Sequence, residues 1–310
     1  MRCKVRVHEG PPPRVSYGDS GEGFRVSRRG YYAWLDRPTS PRAIRDEQLK
    51  PHIRAIHAKS RQTYGSICIQ KELAQLDIHA GHNRIARLRK EMHCVCIQRK
   101  KFKTTTNSCH DLPIAPNLLE QRFAITVPGT VWGTDITYIA TDEGWLYLAG
   151  IKDFASREIV GYAMGNRMTV DLVETALAKA KTLRPPQLGC IHHSDRGSQY
   201  CALEYRGALE RAGFRISMSR RGNCYDNAPT ESFWGSLKQE LVHHRHFATR
   251  LEAKAAIQEY IEIFYNRIRR HSSIGFVPPS VYAELFNQKT RLREGFVSMI
   301  DSTGQMPTPF

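Results

Sequence analysis

The sequence contains no run of about eighteen apolar residues, the minimum for a helix that spans a bilayer. Its eight cysteines lack the spacing of a disulfide framework, and reduced thiols in a cytoplasm are the simplest reading. Neither a glycine-rich phosphate loop nor a dinucleotide-binding glycine fingerprint is present, so ATP or NAD dependence is not indicated. The cysteines have no triad context either, which removes side-chain nucleophilic catalysis as an expectation. The first thirty residues are basic and rich in Gly and Pro without an apolar core, unlike a secretory leader.

What the chain does have is positive charge, +16 over 310 residues, and the charge is unevenly spread. Residues 1–130 carry 24 Lys and Arg against 11 Asp and Glu, whereas residues 131–310 carry 22 against 19. The first part suits a polyanion such as nucleic acid, and the second is nearly balanced.

Residues 1–23 show neither helical nor strand periodicity and read as a disordered lead-in. A basic helical region is expected over residues 24–110. Within it Ile44, Leu49, Ile53 and Ile56 fit a helical stripe that Pro51 should break or restart. Ile69, Leu73 and Leu76, then Ile85, Leu88 and Met92, suit two amphipathic helices joined by a Gly-containing turn, a helix-turn-helix pattern. The second helix carries Arg84, Arg87, Arg89 and Lys90, suited to DNA phosphates or base edges. His79, His82, Cys94 and Cys96 invite a zinc reading, but Cys-x-Cys and the compressed histidine pair are too tight for the usual knuckle. A linker is expected over residues 111–128.

After Pro128 the character changes. TDITYIA, WLYLAGIKDF and REIVGYAM are β-branched and aromatic runs that read as a three-stranded antiparallel meander. An amphipathic helix (TVDLVETALAKAKTL), a short strand (GCIHHSD), a helix closed by Gly213 and a strand (FRISMS) follow. The loop RRGNCYDNA leads to a helix opening at Pro229, and residues 249–267 form another. This order is that of an α/β, ribonuclease-H-like fold over residues 129–286. It has a mixed five-stranded sheet flanked by helices, with a loosely ordered tail over 287–310.

Asp135 then falls in the first strand, Asp195 just past the fourth, and Glu231 in the first turn of a later helix. In a ribonuclease-H-like sheet the first and fourth strands are neighbours, so the aspartates share one edge and the helix supplies the glutamate. Such hard oxygen donors suit two Mg²⁺ ions, with Mn²⁺ as a substitute, in phosphodiester chemistry. Each carboxylate alone is equally an ordinary surface charge, or for Glu231 a favourable helix first-turn charge. His192 and His193 read either as phosphate-holding groups or as buried strand histidines.

VWGTDITYI around Asp135, HHSDRGSQY around Asp195 and SRRGNCYDNAPTESFWGSLKQE around Glu231 closely resemble the three motifs of bacterial insertion-sequence transposases, specifically the insertion sequence three family. The intervals agree, with 59 residues between the aspartates and 35 between Asp195 and Glu231. Lys238 lies seven residues after Glu231, where the integrase-like pattern places a DNA-contacting lysine. YIEIFYNRIRRHSSIGFVPPSVYAE resembles the family's closing motif, and SRRGYYAWLDRP and TYGSICIQKEL its helix-turn-helix region, so the resemblance spans residues 24–286. Pro229, and Cys68 with Ile69 in place of a basic pair, depart from the pattern.

The resemblance implies a recombinase in which Asp135, Asp195 and Glu231 hold two divalent ions for DNA end cleavage and strand transfer. It implies double-stranded DNA as partner, both element ends and target, and a first-frame transposase product as partner or fusion. A homo-oligomer on DNA in the bacterial cytoplasm, associated with the nucleoid and not with membrane, is the matching expectation. A ribonuclease-H-like nuclease without strand transfer and an inactive or regulatory DNA-binding fragment remain as alternatives.

Overall fold

In the computed structural model, which describes residues 27–97, 114–220 and 224–303, the strand runs after Pro128 form one five-stranded sheet. The lead-in expected over residues 1–23 lies outside the described residues. Residues up to Ala55 make one compact unit and those from Ile56 on a second.

The first unit holds helix α1 (Arg28–Leu35), whose Ser27 hydroxyl accepts from Gly30 N at 3.1 Å. It also holds most of α2 (Pro41–Lys59). Contrary to expectation, α2 runs straight through Pro51. A proline inside a helix costs about 3 kcal/mol through one lost donor and a clash. Pro51 and Glu47, whose carbonyl loses that donor, are both exposed, so water can serve the carbonyl. The apolar stripe Leu49, Ile53 and Ile56 is buried and offsets the remainder, although Ile44 of that stripe is exposed.

The second unit opens with α3 (Ser66–Gln75) and α4 (His82–Glu91), the expected helical pair. Ile69, Leu73, Ile85 and Leu88 are fully buried, while Leu76 is exposed because it follows the last turn of α3. Arg270 ties α3 to the closing motif: its guanidinium donates to Glu72 and Gln75, and its backbone N–H donates to Tyr64 Oη at 2.8 Å.

Strands β1 (Val131–Thr141), β2 (Gly144–Asp153) and β3 (Ile159–Gly165) form the antiparallel meander. Helix α5 (Val170–Leu183) crosses over to β4 (Ile191–Ser194), and α6 (Leu203–Arg211) leads to β5 (Arg215–Met218). The spatial order is β3-β2-β1-β4-β5, with β4 parallel to β1 and to β5. Alternation along the strands gives the sheet two apolar faces. One, including Trp132, Ala149 and Ile151, packs against Leu172, Ala176 and Leu177 of α5 and Tyr205 and Leu209 of α6. The other, including Ile139, Leu146 and Leu148, packs against α7 (Ala228–Glu240) and α8 (Arg250–Glu259) through Phe233, Leu237 and Ile257.

Three details depart from the sequence reading. The helix expected over 249–267 widens into a π-helical stretch at Tyr260–Tyr265. The segment expected to be loosely ordered from residue 287 is helical to Thr303, as part of α9 (Pro279–Thr303), since it lacks proline and is rich in helix formers. The described part of the linker, residues 114–128, is irregular but anchored. Leu118 N donates to Ser217 Oγ at 2.9 Å, and Asn117 Nδ2 to Asp226 Oδ2 at 3.0 Å.

Candidate active site

The register of β1 against β4 brings the two aspartates together. Gly133 pairs with His193 in the parallel ladder, so two residues further on Asp135, still within β1, stands level with Asp195, just past the end of β4. The third carboxylate arrives on α7, which sits close on β1 and β2 because two glycines allow it. A Cβ on Gly133 would stand 2.2 Å from the Phe154 ring and 2.5 Å from Thr230 Oγ1. One on Gly150 would stand 2.7 Å from the Trp234 indole. Glu231 therefore lies in the first turn of a helix laid directly over β1. Pro229, in the same first turn, is where a missing N–H is harmless.

Both aspartates are held. Asp135 Oδ1 accepts from Ile136 N at 2.8 Å, and its Oδ2 accepts from Trp234 Nε1 at 3.1 Å. Asp195 Oδ1 accepts from Gly197 N at 2.9 Å, which closes a tight turn before the next helical turn. The three feel one another. Burial, then Asp195, then Glu231 push the Asp135 carboxyl well above the ordinary range. Burial and then Asp195 raise Glu231 in the same way. Like charges crowded at one edge resist ionising together, and an added cation would relieve them. Among the described residues no three His, Cys, Asp or Glu side chains stand close enough to enclose a metal ion. The cluster is thus convergent but not a closed coordination shell. Its donors are all carboxylate oxygens, the set that hard divalent cations take.

Lys238 lies on the Glu231 and Trp234 side of α7, with its ammonium 5.2 Å from the centre of the Tyr138 ring. Burial lowers its pKa, and the nearby Asp135 partly restores it. Tyr138 in turn meets Trp145 edge to face at 4.9 Å, and both rings are largely exposed.

Other residues singled out by sequence have different places. His192 and His193 are buried strand histidines, with burial as the main cause lowering their pKa values to about 3 and about 4. His193 bridges Ser217 Oγ at 2.9 Å and the Asp226 carbonyl at 3.0 Å. On α4, Arg87 pairs with Glu91 at 3.4 Å, and Arg87 and Lys90 are exposed, with Arg84 half-buried. Arg89 points back into its own unit, donating to the Cys94 carbonyl at 3.0 Å and to Cys96 Sγ at 2.7 Å. Cys96 Sγ donates to the Tyr64 carbonyl at 2.9 Å.

Asp226 went unnoticed in the sequence. Its buried carboxylate accepts from the Arg220 guanidinium and backbone, from Asn117 and from Gln121, all within 3.0 Å. It fixes the turn just before α7, five residues ahead of Glu231, to the segment after β5 and to the linker. Nothing local marks it, since its partners come from residues more than a hundred positions away as well as from Arg220.

Comparison with known proteins gives this geometry a family. Residues 126–224 and 212–279 match models of the integrase core domain, and residues 44–102 match a helix-turn-helix-like domain. The Escherichia coli (strain K12) transposase InsF for insertion sequence IS3A is 39% identical over 263 residues, which cover 84% of this chain and 91% of that protein. The chain belongs to the IS3 family of insertion-sequence transposases. An insertion element IS600 uncharacterized 31 kDa protein of Shigella sonnei is 56% identical over 265 residues, covering 86% of this chain and 97% of that one. Among solved structures, the HTLV-2 integrase catalytic core domain in complex with magnesium aligns at a TM-score of 0.40 and 14% identity, over 51% of this chain and 97% of that one. The transposase thus pairs a helix-turn-helix-like region with an integrase core and falls among the polynucleotidyl transferases. No helix of the described residues is long and apolar enough to cross a membrane.

Proposed function

We propose that this transposase cleaves the DNA ends of an insertion sequence and joins them to target DNA in a pocket built by Asp135, Asp195 and Glu231. The observation that carries the reading is the convergence of these three carboxylates, from β1, the end of β4 and α7, into one cluster in which the pKa values of Asp135 and Glu231 are raised. They would hold two divalent ions, Mg²⁺ or its substitute Mn²⁺, which supply charge neutralisation and an activated oxygen at the scissile phosphate. Trp234 keeps the Asp135 carboxylate oriented through its N–H. Lys238, on the same face of α7, offers a cation to the DNA backbone beside the reacting phosphodiester.

In the first step a water oxygen bonds to phosphorus and the phosphodiester bond at the element end breaks, leaving a free 3′-hydroxyl. In the second, that hydroxyl attacks a target phosphodiester, one P–O bond forming as another breaks. No side chain need be covalently modified. Arg84, Arg87 and Lys90 on α4 would contact DNA, whereas Arg89, engaged within its own unit, would shape the helix end. Joining two ends calls for a multimer on double-stranded DNA, assisted by a first-frame partner or fusion, in the bacterial cytoplasm at the nucleoid.

The test is a strand-transfer assay with a labelled terminal-repeat duplex, Mg²⁺ or Mn²⁺, and Asp195→Asn as control. Metal-dependent joined product that disappears in Asp195→Asn is expected, with the first-frame partner added where the chain alone is silent. Product that persists in Asp195→Asn would overturn the assignment.

A further inference from the structure

The closing motif contributes nothing to the proposed chemistry, yet four of its residues, Tyr265, Arg269, His271 and Ser273, line a cavity of about 300 Å³ together with Lys152, Arg157 and Ser232. Helical spacing puts Pro229, Ser232 and Ser236 on the side of α7 opposite Glu231, Trp234 and Lys238, so the helix separates a carboxylate cluster from a basic one. None of the lining residues is Asp or Glu.

Each basic group reaches the cavity through an irregularity in the backbone. Lys152 stands where the β2–β3 register shifts. Arg157 is left-handed, with φ at 66°. Arg269 and His271 follow the π-helical stretch Tyr260–Tyr265, whose last residue packs edge to face on His271 at 4.9 Å. Bulges, left-handed residues and π turns cost free energy and gather where a side chain must be aimed at something.

The charge there is only partly answered. Arg269 grips Glu240, with its Nη2 2.8 Å from Oε1, and its Nη1 donates to His271 Nε2 at 3.2 Å, which marks that ring as neutral. Lys152 is buried and donates from Nζ to the Pro229 carbonyl at 2.7 Å, a neutral acceptor. Arg157 Nε is buried and has no hydrogen-bond partner. Burial, then Arg157 and Arg269, bring the Lys152 pKa down to about 7. Burial, then Arg269, Lys152 and Arg157, hold His271 well below its ordinary value. A lysine kept merely to cap a carbonyl would account for Lys152 alone and not for Arg157, whose Nε–H has no hydrogen-bond partner.

We infer that this cavity is a binding site for a phosphate group, supplied either by free inorganic phosphate or by the DNA backbone. Two guanidinium groups, an ammonium and serine hydroxyls around one cavity match a multiply charged oxyanion with several acceptor oxygens. A filled site would also brace α7 from behind, through Ser232 and the Pro229 carbonyl that Lys152 already holds.

The experiment follows the Lys152 ammonium of the full chain by NMR with ¹⁵N-labelled lysine, its signal assigned by its loss in Lys152→Arg. The pH titration is run at constant ionic strength in chloride, with added inorganic phosphate, and with a short DNA duplex in chloride. A saturable rise of the Lys152 midpoint above about 7 is expected. Its apparent affinity should fall about tenfold in Arg157→Gln, the loss expected for one charge-assisted hydrogen bond. A rise with inorganic phosphate names the free anion as a source, and a rise with duplex alone names the DNA backbone. A midpoint that phosphate and duplex leave where chloride has it overturns the inference, and so does an equal, saturable response in Arg157→Gln. Both readouts stand whether or not the chain transfers strands.

Discussion

Replacing Trp234 by Phe tests how far the site depends on a residue that is not itself a carboxylate. The indole does two things: its Nε1–H donates to Asp135 Oδ2 at 3.1 Å, and its outer ring covers Gly150. Phe keeps most of the packing and removes the donor. A hydrogen bond to a charged group contributes about 1.5–3 kcal/mol, and loss of a group that orients a metal ligand typically costs about 10- to 100-fold in metal affinity or activity. The Mg²⁺ concentration for half-maximal strand transfer should therefore rise by about that factor in Trp234→Phe. The missing ring also leaves space over Gly150, which by itself lowers stability by about 1–3 kcal/mol. Adding Gly150→Ala separates the two effects, because a Cβ there stands 2.7 Å from the indole position and refills part of the gap. The double variant should regain thermal stability and keep the weakened metal dependence. If it regains the metal dependence as well, packing and not the hydrogen bond orients Asp135, and the argument fails.

Gly133→Ala should separate α7 from β1, since its Cβ would meet the Phe154 ring at 2.2 Å and Thr230 Oγ1 at 2.5 Å. Overpacking of this kind costs about 1–3 kcal/mol, visible as a lower urea midpoint, and strand transfer should suffer beyond the stability loss. Arg270→Met leaves Glu72 without its guanidinium partner, and breaking such a buried pair should destabilise the second unit by about 3–5 kcal/mol in urea unfolding. Asp226 gives a pH signature. Hydrogen bonds from Arg220 hold its carboxyl below the ordinary range, so its contribution is complete above about pH 4, the unfolded carboxylate's value, and is lost as pH falls through the lower folded value. Asp226→Asn should therefore be less stable than the parent at neutral pH, with the gap narrowing below about pH 4; a gap constant across that range would count against the pairing.

Much of the fold was legible from the sequence because its signals are local. The alternation in TDITYIA and WLYLAGIKDF, the amphipathic spacing of TVDLVETALAKAKTL and the turn residues between them specify elements over a few residues each, and strand order follows from short right-handed connections. The positions of Asp135, Asp195 and Glu231 on those elements were legible for the same reason. The passage of α2 through Pro51 was not, since solvent on one side and a buried stripe on the other decide it. Nor were the inward turn of Arg89, the hub at Asp226 or the basic cavity behind α7, whose members lie at residues 152, 157, 269 and 271. Periodicity reports which face of an element is buried. Which distant side chain then meets it depends on register, on a glycine that lets a helix approach, and on bulges and π turns whose free-energy cost only tertiary packing can offset.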